Sequence, residues 1–159
     1  MAGAGDRQAA GAGGPAPGCP LCADTGGELV WRDSQLRVIL AAEPGWPGFT
    51  RVVWQAHRAE MTDLVPAERA ALMQVVYAVE AVQREVLRPD KINLACFGNV
   101  VPHLHWHVIP RWRDDSHFPE PVWGRPATGR DLPAAARRAA VVEGLPGYRA
   151  RLRERLGPA

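Results

Sequence analysis

The stretch His103-Leu104-His105-Trp106-His107-Val108-Ile109 decides how this chain folds around its site. Histidine alternates with apolar residues, as expected of a β-strand whose successive side chains point to opposite faces of a sheet. The pattern predicts all three imidazoles on one face and Leu104, Trp106 and Val108 on the other, packed beneath a helix. Three of the five histidines in the chain share the first face, which indicates a functional site.

Two kinds of chemistry use histidines in such a row: metal binding and nucleophilic or acid–base catalysis. His103 and His107 lie four residues apart, which on a regular strand is about 13 Å. With Zn–N distances of about 2 Å, one ion cannot hold both of these side chains. At least one of the three histidines is therefore expected to be free of metal, and a metalloenzyme that uses all three is disfavoured.

Composition excludes several classes of protein. The chain has 159 residues, of which 47% are hydrophobic and 23% charged, a balance typical of a soluble globular domain. The net charge of +2 is too small to indicate a nucleic-acid partner. No apolar stretch approaches the roughly 20 residues that a membrane span requires. We expect neither nucleic acid nor a membrane as a partner.

The chain divides into three segments. Residues 1–18 are rich in Ala and Gly and have no apolar core of a secretion signal, so a disordered tail is predicted. Residues 19–126 are expected to form the catalytic domain, and residues 127–159 a C-terminal extension that is helical from about Leu132. Without an export signal, the reducing cytoplasm is the predicted location, and Cys19 and Cys22 then indicate metal or redox use.

The periodicity predicts an α+β fold with an antiparallel sheet. Strands are expected at 28–32, 36–40, 50–55, 91–97 and 103–110. One long helix is expected from Pro66 to Leu87, with Cys96 in the core of the strand that follows. The apolar stripe of this helix recurs at spacings of three and four residues: Leu72, Val75, Val76, Val79, Val82 and Val86.

The chain resembles the histidine triad (HIT) superfamily of nucleotide hydrolases and transferases, and most of all its bacterial members. The likeness covers roughly Cys19 to Trp123. Beyond the alternating histidines it rests on Pro47-Gly48, Asp63-Leu64, Asn93, Gly98 and Ile109-Pro110-Arg111. The resemblance implies a five-stranded antiparallel sheet with flanking helices, assembled as a homodimer.

The resemblance also implies a reaction. His105 would attack the α-phosphorus of a nucleoside 5′-phosphate conjugate, either a phosphoramidate or a dinucleoside polyphosphate, and the nucleotidyl-histidine would then be hydrolysed. Neutral imidazole is a competent nucleophile at pH 7. His107 would donate to a phosphate or leaving-group oxygen, and Asn93, Gly98 and Asn99 would present amide groups to the same phosphate.

A Cys-x-x-Cys sequence precedes the first predicted strand. Redox use is disfavoured because no thioredoxin-like βαβ pattern surrounds it. Some HIT proteins bind structural zinc with such cysteines, a later histidine and the first histidine of the triad. The resemblance thus implies a structural zinc site, without any organic cofactor, whose ligands are Cys19, Cys22, His57 and His103.

Four positions depart from the pattern of many HIT enzymes. Phe49 stands where they carry a fourth histidine, and Asn99-Val100 where they carry Gln and then Ser or Thr. Ala41 stands where they carry a polar ribose-binding residue, so Glu43 is the nearest substitute. These departures keep a second hypothesis open: a zinc-stabilised nucleotide-binding or scaffold protein with little or no turnover.

Overall fold

The structure is a computed structural model that describes residues 14–43, 45–128 and 134–158. Most of the tail predicted for residues 1–18 lies outside the described residues. Leu132, where the C-terminal helix was expected to begin, also lies outside them. No helix in the described ranges is long and apolar enough to span a bilayer.

The described residues form one five-stranded sheet with every neighbouring pair antiparallel. The order of its strands is β1 (Glu28–Arg32), β2 (Leu36–Leu40), β3 (Thr50–Trp54), β5 (His105–Arg111) and β4 (Lys91–Ala95). This architecture confirms the predicted α+β fold. A 3₁₀ turn at Met61–Asp63 and a π-helical turn at Gln83–Leu87 flank the second helix. In chain order the elements are α1 (Pro20–Ala23), β1 (Glu28–Arg32), β2 (Leu36–Leu40), β3 (Thr50–Trp54), α2 (Pro66–Val82), β4 (Lys91–Ala95), β5 (His105–Arg111) and α3 (Ala134–Leu156).

Three strands are shorter than predicted, and β3 differs only in ending at Trp54. β5 begins at His105 and excludes His103, because the chain bends there and the His103 amide donates to the carbonyl of Val101. β4 ends at Ala95, before a turn at Gly98, whose φ of 79° favours glycine. Cys96 is consequently exposed. Its prediction as a core residue was wrong, because it lies beyond the end of an edge strand.

The long helix has the predicted bounds, although its last turn is π-helical. Pro66 occupies its first turn, and the Glu68 carboxylate accepts a hydrogen bond from the Val65 amide at 2.9 Å. Five of the six stripe residues are buried, and Val86 is half-buried. The π-helical turn shifts the register, so Gln83 and Leu87 continue the buried face instead.

Helices α2 and α3 cover one face of the sheet and leave the other face for the site. Tyr148 and Leu152 of α3 are fully buried in the same core as Val52 and Val108. The Tyr148 hydroxyl lies 2.8 Å from Thr50 Oγ1. Because burying an unpaired hydroxyl is costly, this hydrogen bond fixes how α3 packs on the sheet.

Candidate active site and metal centre

His105 and His107 lie on the face of β5 that the helices leave open. Their ring centroids are 4.7 Å apart, and both side chains are largely buried. They line a cavity of about 530 Å³ together with Gly98 and Asn99. The structure therefore brings together four of the residues predicted from the sequence to act on a nucleotide.

The hydrogen bonding of His105 determines its tautomer. Nδ1 lies 2.5 Å from the backbone carbonyl oxygen of His103. Because a carbonyl oxygen only accepts hydrogen bonds, Nδ1 carries the proton and Nε2 carries the lone pair. Burial lowers the pKa of His105 below its ordinary value. The ring is therefore neutral near pH 7, with Nε2 free to act as a nucleophile.

His107 is enclosed by aromatic rings. Phe49, Phe97 and Trp123 lie 5.4, 6.2 and 5.1 Å from it, measured between ring centroids. Burial, with smaller contributions from His105 and Arg51, lowers the pKa of His107 to about 3. Nδ1 is buried and has no hydrogen-bond partner among the described residues. A neutral ring keeps one N–H, which suits donation to a phosphate oxygen.

Asn93 lies beside the cavity and is not among its lining residues. It pairs with Ile109 across β4 and β5, which places it on the face of the site histidines. Its Oδ1 accepts a hydrogen bond of 2.7 Å from Arg111, which also forms a buried ion pair with Asp115 at 2.6 Å. With Oδ1 engaged, the amide hydrogens of Asn93 are the groups left for a ligand.

Glu43 does not line the cavity but contacts a residue that does. Its Oε1 lies 2.9 Å from Arg51 Nη2, and Arg51 lines the cavity. Sequence reasoning missed Arg51, although a charged residue within the apolar run of β3 was a usable signal. Sequence position alone did not indicate whether Trp123 and His117 border the site. Trp123 borders the cavity, whereas His117 packs against Trp46 at 5.0 Å between ring centroids.

The four predicted zinc ligands converge at one point. Their donor atoms all lie within 4.8 Å of one another. His103 Nδ1 lies 3.4 Å from Cys19 Sγ and 3.5 Å from Cys22 Sγ, and His57 Nδ1 lies 3.4 Å from Cys22 Sγ. Standard Zn–S and Zn–N bonds at tetrahedral angles place sulfur and nitrogen about 3.6 Å apart. The spacing and the Cys₂His₂ donor set therefore fit a zinc ion.

A further hydrogen bond sets the tautomer of His103 in this cluster. His103 Nε2 lies 2.6 Å from the Trp54 carbonyl oxygen. Nε2 therefore carries the proton and Nδ1 is the free donor atom, which is the usual arrangement around a metal-binding histidine. His105 and His107 are not part of the cluster. This agrees with the strand geometry, which predicted that at least one of the three histidines is free of metal.

Comparison with known proteins decides the family. The sequence model of the HIT domain matches residues 25–114. The chain belongs to the HIT family. Its matched region contains His57 and the alternating histidines, whereas Cys19 and Cys22 precede it.

Among curated HIT-family relatives, the AP-4-A phosphorylase of Mycobacterium tuberculosis is 32% identical over 105 residues, or 62% of this chain and 54% of that protein. The asymmetrical bis(5′-nucleosyl)-tetraphosphatase of Schizosaccharomyces pombe is 28% identical over 95 residues, or 57% of this chain and 52% of that protein. The chain thus spans about half the length of the curated relatives it matches.

Solved structures share the fold. A histidine triad protein from Bradyrhizobium japonicum is 26% identical, with a TM-score of 0.64 over 84% of this chain and 92% of its own. A zinc-bound histidine triad family protein from Mycobacterium smegmatis is 24% identical, with a TM-score of 0.58 over 86% of this chain and 96% of its own. Both matches cover most of the described fold.

Proposed function

We propose that this protein is a nucleotide hydrolase or transferase that cleaves nucleoside 5′-phosphate conjugates at the α-phosphate. The observation that carries the proposal is the tautomer of His105, whose Nδ1 is committed to the His103 carbonyl while Nε2 is left free in a cavity. Relatives named as AP-4-A phosphorylase and bis(5′-nucleosyl)-tetraphosphatase support a dinucleoside polyphosphate as substrate. Phosphoramidates present the same α-phosphate.

The reaction proceeds in two displacements. The Nε2 lone pair of His105 attacks the α-phosphorus, and the bond to the leaving oxygen or nitrogen breaks with its electron pair. A leaving phosphate departs as an anion, and a leaving amine takes a proton from water. Water then attacks the same phosphorus, the N–P bond returns its electron pair to Nε2, and one proton is released with the nucleoside monophosphate.

The surrounding groups stabilise the negative charge of the transition state. The N–H of His107, the amide of Asn93 and the turn at Gly98 and Asn99 supply hydrogen-bond donors to the phosphate oxygens. The second carboxylate oxygen of Glu43 would accept a hydrogen bond from a ribose hydroxyl. Cys19, Cys22, His57 and His103 would hold a zinc ion that stabilises the fold beside the site.

A nucleotide-binding protein with little turnover is the second candidate, favoured by one observation. Val100 lines the cavity with 92% of its surface exposed, where many HIT enzymes carry a hydroxyl. One hydrogen bond to a charged group changes a rate by about one to two orders of magnitude. We therefore expect slow cleavage in the wild type and faster cleavage in Val100→Ser.

The deciding experiment measures steady-state cleavage of one fluorogenic adenosine phosphoramidate by three proteins. An enzyme gives the order Val100→Ser, wild type, His105→Ala, from fastest to slowest. Equal rates for all three, together with nucleotide binding by the wild type, would establish the binding protein instead.

We also propose a homodimer, with residues 19–126 as the catalytic domain and 127–159 as its helical extension. β4 is an edge strand, so one side of it has unpaired backbone groups, and its Leu94 is exposed. A second copy covering this edge would bury both features. We propose the reducing cytoplasm as the location, since Cys19 and Cys22 form no disulfide. We propose neither a nucleic-acid nor a membrane partner.

A further inference from the structure

Arg51 brings a positive charge into the candidate active site. It lies opposite His107 in the pairing of β3 with β5, so the two side chains share one face of the sheet. It lines the same cavity as His105 and His107. Among the described residues that line this cavity, Arg51 is the one with a charged side chain. Neither the HIT resemblance nor the proposed displacement gives it a role.

The contacts of Arg51 orient its guanidinium without using all of its donors. Nη2 lies 2.9 Å from Glu43 Oε1, and the guanidinium carbon lies 5.6 Å from the centre of the Phe49 ring. Nε is buried and has no hydrogen-bond partner among the described residues. An ion pair as exposed as this one contributes little to stability. The arrangement leaves a fixed cation with a free N–H, as a site for an anion requires.

The neighbours of Arg51 indicate which anion it takes. His105 would attack one phosphate, and His107, directly across the strand pair from Arg51, would donate to that phosphate. Side chains opposite each other on an antiparallel pair are close enough to contact one small ligand. A group held by Arg51 would therefore be adjacent to the attacked phosphate. If that group is a second phosphate, the positive guanidinium would compensate its negative charge.

We propose that Arg51 binds a second phosphate of the substrate, next to the one that His105 attacks, with Glu43 holding the guanidinium in place. The assignment rests on the proposed function and makes the site selective for nucleotides with a phosphoanhydride bond. Conjugates with an uncharged leaving group have no group for Arg51 to bind. Arg51 is thus a specificity-determining residue.

Binding of AMP and ADP tests the assignment without turnover. Calorimetry compares His105→Ala with the double variant His105→Ala/Arg51→Met, because methionine keeps the apolar stem and removes the charge. We expect the affinity for ADP to fall about 10- to 100-fold, as for loss of a hydrogen bond to a charged group, and the affinity for AMP to stay unchanged. Arg51→Lys in the same background should keep part of the preference for ADP.

Two controls separate the outcomes. Arg151→Met in the His105→Ala background removes a surface cation paired with Glu85, and it should leave both affinities unchanged. Equal losses for AMP and ADP, or no loss for either, would overturn the role of Arg51. The double variant could lose the preference for ADP while the wild type cleaves no conjugate. That result would support phosphate binding by Arg51 and overturn the proposed function.

Discussion

His105 donates its Nδ1 hydrogen to the carbonyl oxygen of His103 at 2.5 Å, and this bond joins the candidate nucleophile to a proposed zinc ligand. The His103 ring points into the metal centre, whereas its backbone orients the catalytic ring. The two sites are therefore parts of one structure. Any change that displaces His103 is expected to alter the direction of His105 Nε2.

The first prediction concerns the covalent intermediate. Rapid quenching of wild-type protein with an AMP conjugate should trap a base-stable, acid-labile adduct on His105, with phosphorus bonded to Nε2 because Nδ1 is engaged. Phosphorus NMR and peptide mapping identify the bonded atom and the residue. His117→Ala, a histidine outside the cavity lining, should form the adduct normally. An adduct on any other histidine would contradict the mechanism.

The second prediction concerns zinc. Protein purified without added metal should contain about one zinc ion per chain, and Cys22→Ser should lose it. If the ion contributes about 3 kcal/mol to stability, its loss lowers the melting temperature by about 6–12 °C. Cys96→Ser is the matched control, since this exposed thiol is not a member of the cluster. Full stability of the metal-free wild type would contradict a structural role.

The third prediction concerns the protonation of His107. Because burial lowers its pKa to about 3, its imidazole should stay neutral between pH 8 and pH 5. Nitrogen-15 NMR of the ring should show no titration there, and His107→Gln assigns the signals. The unfolded chain takes up a proton near pH 6.5 and the folded one does not. The contribution of His107 therefore lowers stability as the pH falls below 6.5.

The fourth prediction concerns Arg111. Burial raises the pKa of Asp115, but hydrogen bonds from Arg111 and two backbone amides lower it by a larger amount. The pKa of Asp115 therefore lies below its ordinary value, and the carboxylate is charged. Arg111→Met would leave that charge in the interior, at a cost of about 3–5 kcal/mol. Denaturant unfolding measures this loss. Arg151→Met, which removes two exposed ion pairs, should leave the free energy of unfolding nearly unchanged, because water screens exposed pairs.

The fifth prediction concerns assembly. Light scattering on eluting protein should give the mass of a dimer, and Leu94→Glu on the free edge strand should give that of a monomer. A charge at this position disfavours pairing of sheet edges. Val142→Glu changes an exposed valine on α3 instead and should leave the dimer intact. A monomeric wild type would exclude the proposed interface.

Local patterns were sufficient for most of the fold. The spacing from Leu72 to Val82 placed the long helix on the core because helical periodicity is set by neighbours along the chain. The alternation of His105 and His107 likewise placed both on one face of a strand. These patterns could not show that the strand begins only at His105, since the bend at His103 depends on contacts with parts of the chain outside this stretch.

Only the tertiary structure decided the contacts between residues that are distant in sequence. Strand pairing puts Arg51 opposite His107, and the path of the loop after β5 brings Trp123 against the same ring. Burial of Tyr148 beside Thr50 likewise places the C-terminal helix within the core. The sequence determined which groups the protein has for phosphate chemistry. Their arrangement depends on strand register and loop course, which no local periodicity contains.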